Sequence, residues 1–336
     1  MADGSKTNWL VITSISPPNE ALRSFASGAA EHDFHFVVIG DAKSPSTFEL
    51  TGCDYHSLER QAESGLSYAA LCPTGHYARK NIGYLLAIRA GATVIRDTDD
   101  DNLPRPSFWD LQSRFQNVPA CQRAGWVNVY RWFSDAIIWP RGLPLDEIHG
   151  RMPAWEEVPA LESDCPIQQG LANENPDVDA IYRLTLPLPQ NFRTDRRIAL
   201  GTGAWCPFNS QNTTWYSDAF PLLYLPAYCS FRMTDIWRSF VAQRIAWANN
   251  WSILFHEPTV WQERNEHSLM RDFADEVPGY LNNRLIATEL DGLPLKPGLT
   301  EIPDNLRICY GMLVRLQLVD PKEMELLEAW LSDLKV

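Results

Sequence analysis

The run Arg96-Asp97-Thr98-Asp99-Asp100-Asp101-Asn102, directly after the apolar pair Val94-Ile95, holds the most pointed chemistry in the chain. Four carboxylates within five residues repel one another, so a strand end that carries them needs either a cation or a solvated loop. Mg²⁺ and Mn²⁺ take hard oxygen ligands and commonly bridge one or two carboxylates to the phosphates of a nucleotide. A strand ending in Asp-x-Asp is therefore a candidate for diphosphate handling, with Asp99 and Asp101 as metal ligands. A solvated acidic turn is the plainer reading of the same residues. A calcium loop starting at Asp97 fails on spacing, because Asn102 and Phe108 stand where glycine and glutamate are required. The G-x-x-x-x-G-K-[ST] phosphate loop occurs nowhere in the chain.

Other residues could serve the same chemistry. Arg79 and Lys80 open a helix just before the aspartates and can meet nucleotide or phosphate, or remain solvated helix residues. The stretch 198–217 contains Gly201 and Gly203, which allow close backbone approach, and Asn209, Gln211 and Asn212, whose amides can bind a ligand or close a turn. A helix from Phe231 to Ala248 is expected, with Thr234 as N-cap and Asp235 at its first position. There the helix dipole favours the ionised carboxylate, which suits a general base, an acceptor of a sugar hydroxyl or a cap. His256 follows the strand-like Ile253-Leu254-Phe255 and suits a late metal ligand or a structural histidine. Trp205, Trp215 and Trp237 suit sugar stacking or the core.

The elements that position these residues alternate between strand and helix. Strands are expected over Trp9–Ile15, Phe34–Ile39 and Thr93–Arg96, with a helix opening at Ser16–Glu20 and another over Tyr77–Ala90 stopped by Gly91. This alternation predicts an α/β fold with a mostly parallel sheet, whose ligands sit beyond the carboxyl ends of the strands. Asn117–Trp139 is rich in aromatics, Pro140–Pro166 reads as loop, and a final amphipathic helix is expected over about Pro321–Leu334.

The whole chain of 336 residues, 45% hydrophobic and 21% charged, can bury a large core. A net charge of −13 argues against nucleic acid or anionic membrane as a partner, since both require a basic face. Seven scattered cysteines without a C-x-x-C pair fit reduced thiols in a cytoplasmic protein. The N-terminus is not expected to act as a signal peptide, and no stretch is apolar enough to span a membrane.

The ordered strings ARKNIGYLLAIRAGATVIRDTDDDN, IWPRGLP, QGLANENPDVDA, LGTGAWCPFNSQNTTW and FRMTDIWRSFVAQR resemble two related groups. One is the plant reversibly glycosylated polypeptides, which are UDP-arabinopyranose mutases. The other is the glycosyltransferase-like family that includes the STELLO proteins, to which PFNSQNT, FPLLYLP, TDIWR and QERNEH are more similar. The resemblance covers about Trp9 to Asn283. It implies a GT-A type domain over residues 1–290, with 291–336 as a C-terminal connection and helix packed on it. It also implies a nucleotide-sugar donor, most simply a UDP-sugar, a glycan or small-molecule acceptor, and Mn²⁺ or Mg²⁺ at the aspartates.

By position, Asp99, Asp100 and Asp101 match the family's triple aspartate, Asp235 with Trp237 its Asp-x-Trp element, and Asp177 and Asp179 an acidic pair. The mutases glycosylate an arginine a few residues after Arg-Gly-x-Pro. Ile148 stands there in this chain, a departure that counts against mutase and self-glycosylation activity. The STELLO proteins carry a membrane anchor, and no stretch here is expected to serve as one. Beside a transferase three readings stay open: a UDP-sugar mutase of the reversibly glycosylated polypeptide type, a non-catalytic scaffold on the same fold, and a nucleotidyltransferase, which shares strand-end carboxylates.

Overall fold

The computed structural model describes residues 7–263 and 268–335. In chain order the elements that build the site are β1 (Asn8–Thr13), α1 (Glu20–Glu31), β2 (Phe34–Ile39), β3 (Asp54–His56), α2 (Lys80–Arg89), β4 (Val94–Thr98), β5 (Asn102–Pro104), β6 (Phe115–Cys121), β7 (Ala160–Asp164), β8 (Ile167–Asn173), α3 (Ala180–Thr185), β9 (Arg197–Leu200), β10 (Asn212–Tyr216), α4 (Thr234–Ala248), β11 (Ile253–Gln262), α5 (Leu269–Asp291), α6 (Ile302–Arg315) and α7 (Glu323–Asp333). The strands form one eleven-stranded sheet in the order β3-β2-β1-β4-β10-β8-β11-β9-β6-β7, with β5 paired to β11. The α/β class expected from the sequence is the one observed, and the architecture is consistent with a GT-A-like fold.

Local chemistry explains the N-terminal half. Asn19 caps α1 by accepting from Leu22 N at 2.9 Å. Helix α2 follows a tight turn at Tyr77–Arg79 and ends at Gly91, whose φ of +84° is easy for glycine and costly for other residues. Strands β2, β1 and β4 pair in parallel and are nearly wholly buried, as strands covered on both faces must be. The stretch 140–166 is not all loop, because Ala160–Asp164 adds β7 to the sheet edge antiparallel to β6.

Strand β10 is antiparallel to both β4 and β8, so β4 and β8 point the same way; β11 lies parallel to β8. The carboxyl ends of β1, β4, β8 and β11 and the start of β10 therefore meet at one edge of the sheet. The core beneath includes Val11, Ile95, Ile167, Trp215 and Phe255. The C-terminal helices pack into that same core through Leu306, Leu313, Leu327 and Trp330. Glu323 is buried with them and accepts from Ala227 N and Tyr228 N at 3.0 and 2.7 Å.

Candidate active site

A cleft of about 510 Å³ opens where those strand ends meet. Asp99, Asp100 and Asp101 line it together with Thr13, Ile15 and Ser16 from the end of β1. Arg141 from the Pro140–Gly142 turn, Asp177 and Arg183 from the segment after β8 and from α3, and Arg232 and Asp235 from the start of α4 line it on the other side. The sheet thus joins residues far apart in sequence into one polar, aromatic-edged site.

The aspartate loop is tied down atom by atom. Lys80 Nζ, wholly buried, lies 2.5 Å from Asp97 Oδ1 and 3.3 Å from Asp99 Oδ1, and donates to Thr98 O at 2.7 Å. Arg238 Nη1 approaches the second Asp97 oxygen at 3.3 Å, so Asp97 belongs to a buried ion cluster below the cleft floor. Burial works against the lysine charge, but Asp97 and Asp99 outweigh it and hold the ammonium above the usual lysine range. The Asp100 carboxylate accepts from Ser14 Oγ at 2.5 Å and its carbonyl from Asn19 Nδ2 at 2.8 Å, which docks the loop on the start of α1. Asp101 Oδ1 accepts from Gln262 Nε2 at 2.9 Å.

Asp99 and Asp100 remain undercompensated. Desolvation at the base of the cleft raises Asp99 to about 7, with Lys80 opposing the rise and Asp101 and Asp97 adding to it. Desolvation also raises Asp100, against the hydrogen bond from Ser14. Such a group of carboxylates favours a cation. Among the described residues, no three histidine, cysteine or acidic side chains converge to hold a metal by themselves.

The opposite wall has the reverse character. Arg141 donates to Asp177 through Nε and Nη2 at 2.7 and 2.8 Å, and to Asp235 through Nη2 and Nη1 at 2.8 and 3.1 Å. Burial opposes charge on Asp235, yet Arg141 prevails and holds the carboxyl down at about 2. Thr234 is not the N-cap of α4: the helix starts at Thr234 after a tight turn at Phe231–Met233, and the cap position is Met233 without a side-chain bond. Asp235 serves the Arg141 pair and accepts from Ser210 N at 3.3 Å, so it is not a simple capping residue. Phe231, 47% exposed, stands at the cleft edge with its ring 5.5 Å from that of Tyr77.

Several residues singled out in the sequence lie elsewhere. Arg79 is buried and donates to Gln61 Oε1 and Cys72 O, so it holds a loop and does not line the cleft. Asp179 caps α3, accepting from Tyr182 N at 2.8 Å, and takes a second bond from Trp139 Nε1 at 2.6 Å. Desolvation raises it to about 6. Asn209 accepts from Gln211 N at 3.0 Å and shapes the turn that presents Ser210 and Gln211 to the cleft. Asn212 is spent inside the sheet on Leu171 O and Thr259 Oγ1. His256 sits mid-sheet on β11, its Nδ1 3.0 Å from Glu257 O, and desolvation lowers it to about 4; it does not reach the aspartates. Trp205, Trp215 and Trp237 are core residues, not stacking platforms. Of the QERNEH string, Gln262 lines the cleft and Arg264–His267 lie outside the described residues.

The residues missed by sequence reasoning are mainly cations and aromatics: Arg141 as a clamp, Arg183, Arg232, Tyr77 and Phe231. The one available signal was Pro140-Arg141-Gly142, a tight turn with a charged residue at its centre. Gly142 has φ +91°, and a Cβ there would come within 2.5 Å of Ile236 Cγ2. The turn therefore sits directly against α4.

Residues 232–336 match the family model described as STELLO glycosyltransferases. The matched span includes Arg232 and Asp235 and begins after the aspartate loop. The chain is 30% identical over 300 residues, 83% of its length and 38% of the relative's, to "Probable glycosyltransferase STELLO2" of Arabidopsis thaliana. It is also 30% identical over 272 residues, 75% of its length and 35% of the relative's, to "Probable glycosyltransferase STELLO1" of the same plant. The chain thus spans a little over a third of the length of the curated relatives it matches. No helix among the described residues is long and apolar enough to cross a membrane.

Proposed function

The chain is a relative of the STELLO glycosyltransferases and carries their family domain, and from that premise we propose that it is a metal-dependent glycosyltransferase with a nucleotide-sugar donor, most simply a UDP-sugar. The observation that carries this reading is the pairing, across one cleft, of undercompensated aspartates with an arginine-rich wall. Asp99 and Asp101 would hold Mg²⁺ or Mn²⁺, and the chemistry the ion supplies when bound is neutralisation of the departing diphosphate. Lys80 fixes Asp99, Gln262 orients Asp101, and Ser14 with Asn19 holds the loop in place.

Asp235 binds the acceptor by taking a hydrogen bond from one of its hydroxyls. A carboxylate held at about 2 is a weak proton acceptor near neutrality, so general-base work is the less favoured of its two roles. Nothing in the geometry favours the mutase alternative: Ile148 borders a separate hollow with Asn128, Arg131 and His149. The seven free thiols support a reducing compartment such as the cytoplasm.

The test is incubation with a panel of UDP-sugars, Mn²⁺ and simple glycoside acceptors. Release of UDP with a glycosylated product supports the transferase. Pyrophosphate exchange would indicate a nucleotidyltransferase, and donor binding without turnover a scaffold.

A further inference from the structure

We propose that Arg141 is a positioning residue, whose guanidinium holds the Asp235 carboxylate and the Asp177 carboxylate in one clamp at the cleft wall and so orients the acceptor-binding group. This rests on the reading of Asp235 as the acceptor's hydrogen-bond partner.

The donor geometry supports a clamp over a ligand contact. A guanidinium has five N–H donors. Nε bonds Asp177 Oδ1; Nη2 bonds Asp177 Oδ2 and Asp235 Oδ2; Nη1 bonds Asp235 Oδ1 and the Arg232 carbonyl. Every donor is committed inside the protein, so Arg141 has none left for a phosphate or a sugar. The backbone is fixed as firmly: Arg141 N donates to Asp177 O at 3.0 Å, and Asn283 Nδ2 donates to Gly142 O at 2.8 Å. A planar fork between two carboxylates fixes direction as well as charge, which a lysine ammonium cannot do.

The fork links three stretches distant in sequence: the Pro140–Gly142 turn, the segment after β8 and the first turn of α4. The charged and titratable groups around Asp235 are Arg141, Arg232 and Arg238, with Tyr77, Asp99 and Cys229 also within its electrostatic reach. Arg141 is the largest counter to desolvation among them. Without it, a buried carboxylate would regain its proton at much higher pH.

The experiment follows the Asp235 carboxyl directly. The protein is labelled with ¹³C at aspartate side-chain carboxyls, and Asp235 is assigned by the resonance lost in Asp235→Asn. In the native protein Asp235 should stay ionised to the lowest pH at which the fold survives. In Arg141→Gln its midpoint should rise by about two units or more, and in Arg141→Lys by less, because charge returns without the fork. Unchanged titration in Arg141→Gln would overturn the proposal. If that variant does not fold, Arg141→Lys decides: a raised midpoint supports the fork, and one identical to native overturns it. The acceptor reading fails separately, if Asp235→Asn releases UDP from UDP-glucose in the presence of glycoside acceptors at the native rate. A clamp that still governs Asp235 ionisation would then be a structural device without an acceptor role.

Discussion

The two walls of the cleft use the same residue types to opposite ends. At the aspartate loop, one lysine faces Asp97 and Asp99, and burial leaves Asp99 protonated up to about 7. At the α4 wall, one arginine satisfies two carboxylates and Asp235 stays ionised down to about 2. The difference lies in how many donors reach each oxygen. An undercompensated cluster leaves charge unbalanced at the cleft, whereas a paired one is held in a fixed orientation.

The contrast can be broken most severely beneath the floor. Lys80→Met removes a buried cation from Asp97, leaving only Arg238 at 3.3 Å, and should cost about 3–5 kcal/mol. Thermal unfolding would read this as a large fall in melting temperature, and an unchanged melting point would refute the buried-pair account. Asp235→Asn should come next: Arg141 keeps Asp177 but loses one of its two partners, for a loss of about 3 kcal/mol. Donor affinity should change little, because the substitution lies on the wall opposite the aspartates.

On the floor itself, Asp101→Asn should weaken UDP binding in Mn²⁺ by about tenfold or more while leaving the melting temperature close to native. Calorimetry with and without chelator measures this, and equal affinities in the native protein would remove the metal from the account. The sign of pH dependence sharpens the comparison further. Asp99 has a folded pKa raised above its ordinary 3.8 to about 7, so its contribution to stability is fully present below about 4 and lost as pH rises through 7. In chelator, Asp99→Asn should therefore gain stability relative to native across that window. Asp235, with its pKa depressed, contributes above 3.8 and loses that contribution as pH falls towards 2. The two walls are separable in one set of melting curves. The smallest effect is expected for His256→Gln, which should leave metal-dependent UDP affinity unchanged because the side chain sits mid-sheet.

The sequence made the strand-end aspartates legible because local patterning and like-charge crowding are local facts. An apolar strand, a helix ending at Gly91 and four carboxylates need no distant partner to be noticed. It also overreached where a residue's role depends on direction. Arg79 and Lys80 are neighbours in sequence, yet one points to Gln61 and Cys72 and the other to Asp97 and Asp99. Asn209 and Asn212 bracket the two residues that do face the cleft.

By itself the sequence determined the α/β class, the crowding of carboxylates at the strand end and the helix that carries Asp235. Only the tertiary structure decided that Asp235 is clamped, that His256 stays in the sheet and that Arg141 is the keystone of the opposite wall. The physical reason is that protonation and hydrogen bonding depend on which groups lie within a few ångströms. For Asp235 the deciding partner is 94 residues away in the chain, brought near by packing of a turn against α4 that no local pattern encodes.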